Sequence, residues 1–203
     1  MTGTLSSQND RQPRLIAVRH GATEWSTSRR HTGWTDLPLD PQGVQQAIDV
    51  GKRLAGHDFR QVLTSPLERA RVTCELAGFG GIAKICDDLR EWNYGEMEGR
   101  TTAEIREQIP GWNIWADGVI GGETIDQVRD RADRVIAQVR GGAGDVLAFA
   151  HAHIFRVIAA RWVGLGPTAG QSLALSPATV SVLGWERETP VIEVWNDGSS
   201  DLF

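Results

Sequence analysis

Three residue types are scarce in this chain of 203 residues: it has two cysteines, one tyrosine and two lysines, Lys52 and Lys84. Cys74 and Cys86 fit neither a disulfide framework nor a CxxC metal site, so both read as buried free thiols. Long hydrophobic runs are missing too. No stretch of 18 apolar residues occurs, which predicts no membrane span. The opening MTGTLSSQNDRQP lacks the apolar segment of a secretory signal, so the expected location is cytoplasmic. Positive charge is in deficit, with 21 Lys+Arg against 26 Asp+Glu and a net charge of −5, which speaks against a nucleic-acid partner. Hydrophobic residues at 40% and charged residues at 23% are ordinary for a globular protein and exclude low-complexity disorder.

All other basic residues are arginine, whose planar fork suits phosphate and carboxylate. Residues 1–13 read as a flexible tail and 14–203 as a single domain. Leu15–Val18 and Asp145–Ala150 are short, continuously apolar runs, the pattern of parallel strands buried on both faces. Val62-Leu63 and Ile82–Cys86 predict two more strands, and 180–185 with 191–195 a hairpin. Asp40-Pro41 opens a helix with an N-cap and a first-turn proline, its inner face carried by Val44, Ala47, Ile48, Gly51 and Leu54-Ala55. Ser65-Pro66 repeats that start signal. Further helices are predicted at 102–109, 124–140 and 154–163. Strands alternating with helices predict a three-layer α/β/α sandwich with a mostly parallel central sheet.

Such sheets bind ligands beyond the carboxyl ends of their strands. Two strong strands end in polar clusters, Arg19-His20-Gly21 and His151-Ala152-His153, and parallel strands bring both to one rim. The next strands deliver the 65–71 segment and Glu91 to that rim. His151-x-His153 has a spacing found in zinc sites, but no further ligand pattern lies nearby and the arginines would repel a cation. Histidine together with arginine points instead to an oxyanion, phosphate first. Taken singly, each has a bland reading: a solvated turn for Arg19-His20, a helix start for Ser65, an exposed acid for Glu91, a capping histidine for His151. Their convergence favours function.

The motifs LIAVRHGATEWS (15–26), HTGWTDLPLDPQG (31–43), TSPLERARVT (64–73), LREWNYGEMEG (89–99) and GGETIDQVRDR (121–131) follow in an order that resembles the histidine phosphatase superfamily, which includes the phosphoglycerate mutases. The resemblance spans nearly the whole chain and implies a phosphoglycerate mutase-like fold. It implies His20 as the phosphorylated nucleophile, Arg19, Arg69 and His151 as the phosphate clamp, and Glu91 as the proton donor. It also implies that Thr23, Ser26, Thr32, Gly33 and Tyr94 line the substrate pocket. Arg100 is added as a nearby basic candidate. Two positions depart from the family pattern: Ser26 stands where Asn is usual and Ala152 where Gly is common.

Family mutases carry a longer segment between the acid and the second histidine, with a basic cluster for the glycerate. Here residues 101–122 hold one arginine, Arg106, beside Ile109, Trp112, Ile114 and Trp115. The tryptophans read as core, or else as an apolar wall for varied substrates. The resulting expectation is a metal-independent phosphomonoesterase of broad specificity, without cofactor, acting through phosphohistidine on small phosphomonoesters and favouring mildly acidic pH. The alternative is a cofactor-dependent phosphoglycerate mutase; a non-catalytic regulatory protein is a third reading. Neither a nucleic-acid nor a membrane partner is expected, and a homodimer through the apolar hairpin is compatible with the sequence.

Overall fold

The computed structural model describes residues 12–199. The predicted tail therefore lies outside the described residues except for its last two positions, as does most of the 198–203 terminus. Pro13 is tied down, its carbonyl accepting from Trp185 Nε1 at 2.8 Å.

Six strands form one sheet: β1 (Leu15–Arg19), β2 (Gln61–Thr64), β3 (Ala83–Ile85), β4 (Val146–Ala150), β5 (Val180–Glu186) and β6 (Thr189–Asp197), in the order β3-β2-β4-β1-β5-β6. The four from β3 to β1 are parallel, while β5 and β6 are added antiparallel. β1 and β4 are apolar along their length because both faces are covered; Leu15–Val18 and all of β4 are buried. One core cluster packs Trp92, Trp112, Trp115, Phe155 and Trp162 against one face, and a second packs Val50, Leu54, Cys74 and Phe149 against the other. The predicted three-layer sandwich is observed.

The helices are α1 (Glu24–Thr27), α2 (Pro41–Leu54), α3 (Glu68–Leu76), α4 (Thr102–Gln108), α5 (Ile114–Asp117), α6 (Ile125–Arg140) and α7 (Ala152–Trp162). Asp40 caps α2 as its sequence predicts, accepting from Gly43 N at 2.7 Å, and Thr124, expected as the first helical residue, caps α6, accepting from Gln127 N at 3.3 Å.

Two expectations are corrected. The buried face of α2 is Gly43, Ala47, Val50 and Leu54, and Val44 and Ile48 are exposed. The helix is turned because Gly43 must meet the loop after β1: a Cβ on Gly43 would lie 2.1 Å from the Ala22 carbonyl oxygen, and one on Gly21 2.4 Å from that of Gly43. Backbone contact at that point outweighs burial of two branched side chains. Second, α3 begins at Glu68, with Leu67 as its N-cap residue, so Ser65-Pro66 do not start it. Ser65 is instead fully buried at the end of β2.

Candidate active site

The register sets the site. Arg19 on β1 lies level with Ala150 on β4, and Thr64 on β2 with Phe149. The residues just beyond, His20, Ser65 and His151, are therefore neighbours on one rim. Backbone hydrogen bonds hold them there: His20 N donates to Ala150 O and Ser65 N to Phe149 O, each at 2.9 Å. The His20 and His151 rings are 5.1 Å apart between centroids.

His20 is buried, and its Nδ1 lies 2.7 Å from the carbonyl of its neighbour Gly21. A carbonyl only accepts, so Nδ1 carries the proton and Nε2 is left with its lone pair. Burial first, then the Arg69 and Arg19 charges, hold the His20 pKa well below its usual value. The imidazole is thus neutral, with one tautomer set.

His151 is arranged by a different relay. Ser65 Oγ accepts from Leu67 N at 3.3 Å and lies 2.8 Å from His151 Nε2. With the hydroxyl donating to Nε2, the proton of His151 resides on Nδ1. That Nδ1 is buried without a hydrogen-bond partner. Burial, followed by the charge of Arg69, also keeps His151 neutral.

Arg69, in the first turn of α3, is fully buried. Its terminal nitrogens donate to the carbonyls of Thr35 (3.0 Å), Thr32 (3.2 Å) and Gly33 (2.7 Å), which pins the 32–35 loop. Arg19 donates to the Leu175 carbonyl, and burial pulls its pKa down to about 10. The Nε atoms of Arg19 and Arg69 are both buried and unpartnered. Among the described residues, four buried side-chain nitrogens or oxygens lack a partner, and three belong to Arg19, Arg69 and His151. Native proteins rarely leave such groups unmet, and a catalytic role is one of the reasons for which they do.

Glu91 sits at the start of α7. Its Oε1 accepts from Trp92 N and Ile154 N and its Oε2 from His153 N, all at 3.0 Å. The carboxylate thereby caps a helix to which it does not belong. Arg131 of α6 holds the same segment, donating to the Asp88 and Arg90 carbonyls at 2.8 and 2.9 Å while paired with Glu123 at 2.8 Å. This explains what the GGETIDQVRDR motif contributes: Glu123 and Arg131 brace the loop that carries Glu91.

A cleft of about 220 Å³ opens above the rim, lined by Arg19, His20 and Glu91 from the expected machinery and by Ser26, Thr32 and Tyr94 from the expected pocket. The other three pocket candidates are not in its lining. Thr23 is buried and its hydroxyl caps α1, accepting from Ser26 N at 3.2 Å. Gly33 is where the loop passes Glu98 and Trp92, and a Cβ there would lie 2.3 Å from Glu98 Oε1. Arg100 points elsewhere, donating to the Glu104 carbonyl at 3.0 Å. Trp112 and Trp115 are core, not an apolar wall of the cleft. Ala152 is the first residue of α7 and does not have a positive φ, so its methyl group brings no backbone strain.

Sequence reading gave no site role to the lining residues Arg29, Arg30, His31, Arg156 and Leu175, and placed His153 on the rim only as part of the His151-Ala152-His153 cluster. The spacing of His153 and Arg156, three apart at the start of a helix that follows a rim histidine, was the available signal. Buried Tyr94 has its hydroxyl 2.6 Å from His153 Nδ1.

The family model for the histidine phosphatase superfamily, branch 1, matches residues 15–198. The chain belongs to that superfamily. An acid phosphatase of Mycobacterium tuberculosis is 38% identical over 181 residues, covering 87% of this chain and 89% of the relative. A sedoheptulose 1,7-bisphosphatase of Saccharomyces cerevisiae is 41% identical, over 76% of this chain and 69% of the relative. The solved structure of a Mycobacterium tuberculosis open reading frame product superposes with a TM-score of 0.86 at 37% identity, covering 92% of this chain and 98% of the other. This superfamily member is a phosphatase on the phosphoglycerate mutase-like fold.

Proposed function

We propose that the protein hydrolyses small phosphomonoesters through a phosphohistidine at His20, without a metal. The observation that carries this reading is the bare Nε2 of a neutral His20 beside three unpartnered donors, Arg19 Nε, Arg69 Nε and His151 Nδ1. A transferring phosphoryl group needs a nucleophile in line and positive charge around its equatorial oxygens. His20 supplies the first. The two guanidiniums supply the second, with His151 donating one further hydrogen bond. Positive charge is thus provided by side chains, the role a divalent ion plays in other phosphoryl-transfer sites.

In the first step His20 Nε2 forms a bond to phosphorus as the phosphorus–oxygen ester bond breaks. Glu91 acts as the general acid, giving a proton to the departing alkoxide. In the second step water attacks phosphorus, Glu91 takes the water's proton, and the nitrogen–phosphorus bond breaks. Phosphate leaves and His20 returns to its starting tautomer. Because His20 is held neutral well below pH 6.5, acid does not remove the nucleophile, which supports activity at mildly acidic pH. A pH–rate profile rising steadily to pH 9 would go against this reading.

The test is to incubate the protein with p-nitrophenyl phosphate, quench in alkali and look for phosphohistidine by phosphorus NMR. The expected result is an acid-labile phosphoenzyme that His20→Ala lacks. In parallel, 3-phosphoglycerate is followed with and without 2,3-bisphosphoglycerate. Free phosphate supports hydrolysis, and bisphosphate-dependent isomerisation would establish a mutase instead. Turnover undiminished in His20→Ala would overturn the phosphohistidine mechanism.

A further inference from the structure

Glu98, the second acid of the GEMEG run that ends the 89–99 motif, stands outside the lining of the cleft that holds His20 and Glu91. It meets the same 32–35 loop that Arg69 pins. That loop belongs to no helix or strand, so its backbone groups need partners from elsewhere. Glu98 takes the N–H side: Oε1 accepts from Trp34 N at 2.7 Å, and Oε2 accepts from Thr35 N at 2.9 Å and from the Thr35 hydroxyl. Arg69 takes the carbonyl side, at Thr32, Gly33 and Thr35.

The loop is held closely on every side. A Cβ on Gly33 would lie 2.3 Å from Glu98 Oε1, 2.7 Å from the Trp92 carbonyl oxygen and 3.0 Å from Tyr94 N, so glycine is what lets the chain come this near. Asp36, the next residue after the loop, accepts from Glu68 N at 2.7 Å, at the start of the helix that carries Arg69. Trp34 Nε1 donates to the Glu91 carbonyl at 3.0 Å. Peptide groups thus stand between a carboxylate and a guanidinium, N–H toward the first and C=O toward the second, and each charge strengthens the hydrogen bonds made by the other. Burial disfavours the charge of Arg69, and Glu91, Asp36 and Glu98 are among the groups that counter it. Three carbonyls fix the plane of the guanidinium, and that plane sets where its unpartnered Nε–H points.

Resting on the phosphatase reading above, we infer that Glu98 is a positioning residue for the phosphate clamp: it holds the 32–35 loop where the carbonyls of Thr32, Gly33 and Thr35 aim Arg69 at the phosphoryl group. Glu98 acts only through Arg69. Both carboxylate oxygens are engaged, so a glutamine of the same shape does not replace it. The amide nitrogen would face either the Trp34 or the Thr35 N–H, donor against donor.

The test measures orthovanadate affinity by calorimetry, together with kcat/KM on p-nitrophenyl phosphate. Glu98→Gln should weaken vanadate binding and lower kcat/KM by about ten- to a hundredfold, the scale on which a displaced catalytic group or a lost outer support is felt. Thr35→Val removes only the hydroxyl's bond to Glu98 and should cost severalfold; it carries the same test if Glu98→Gln does not fold. The decisive step repeats both substitutions on Arg69→Lys, which keeps the charge but not the fork. Vanadate affinity should then fall by no more than about twofold further, because the group through which Glu98 acts is already gone. The same loss in both backgrounds would overturn the inference. So would a folded Glu98→Gln protein that binds vanadate and turns over like the wild type. Vanadate binding needs no turnover, so a wild type that hydrolyses nothing would count against the phosphatase reading while the role of Glu98 is still measured.

Discussion

Strand β1 has an arginine at each end, and the two are treated oppositely. Arg14, just before the strand, is met by Asp145 through Nε at 3.1–3.2 Å and through a terminal nitrogen at 2.5 Å, with Glu193 at 3.4 Å. Those carboxylates raise its pKa, led by the hydrogen bonds Arg14 donates to Asp145. Arg19, at the far end, is half-buried, forms no ion pair among the described residues, and has its pKa lowered to about 10 by desolvation. The same residue type is a structural clamp at one rim and a standing charge at the other. A charge neutralised within the fold has nothing left to offer a ligand. One left unpaired costs stability and can be offset only by what binds there. The same contrast separates Arg30, paired with Glu104 at 3.0 Å, from Arg69, whose terminal nitrogens meet backbone carbonyls.

Mutations should break this comparison asymmetrically. His20→Ala removes the proposed nucleophile and should lower kcat by roughly 10⁴-fold or more, measured with p-nitrophenyl phosphate. Arg19→Ala should cost about 10²–10³-fold in kcat/KM, on the scale of losing one preorganised charge-stabilising group. Arg14→Ala should leave kcat/KM near that of wild type and instead lower the unfolding free energy by about 1–3 kcal/mol in denaturant titrations. Equal activity losses at the two ends would erase the distinction.

The next effect is on stability against pH. His20, His151 and His153 all have folded-state pKa values well below 6.5, chiefly through burial. Above pH 6.5 they are neutral in both folded and unfolded chains and the balance is flat. As pH falls below about 6.5 the unfolded chain takes up protons that the folded rim refuses. Stability should then drop, by up to roughly 1.4 kcal/mol per pH unit for each histidine. Denaturant titrations at pH 7.5 and 5.5 read this directly. Arg14 keeps its charge throughout the range, so Arg14→Ala should shift both values equally.

The smallest of these effects is that of Ser65→Ala. It leaves His151 Nε2 without its donor and frees the ring to exchange tautomers. The expected loss is about tenfold in kcat with little change in KM, in line with other groups that orient a catalytic histidine. Restoration by Ser65→Thr would separate this positioning from a packing defect.

Much of the fold could be read from local pattern. β1 and β4 announced themselves as unbroken apolar runs because parallel strands covered on both faces have no polar side. Asp40 marked a helix start because orphan N–H groups select capping oxygens. Those signals failed where a long-range contact overrode them. Gly43 had to touch the loop after β1, so α2 turned away from its apparent apolar face. Ser65 looked like a cap and serves His151 instead, 86 positions away. Arg100 was favoured for being near in sequence, although its side chain binds the Glu104 carbonyl. Arg29 and Arg156 went unremarked because nothing in a loop or a helix face tells a paired arginine from an unpaired one.

The sequence by itself determined which residues could do the chemistry and that the ends of β1 and β4 would bring them together. Strand periodicity and right-handed parallel crossovers leave little freedom there. Only the tertiary structure decided the protonation of His20, the tautomer of His151, the donors around Glu91, and which arginines keep their charge for a ligand. Those properties depend on desolvation and on hydrogen-bond partners far away in the chain. Both are set by packing and neither has a local signature.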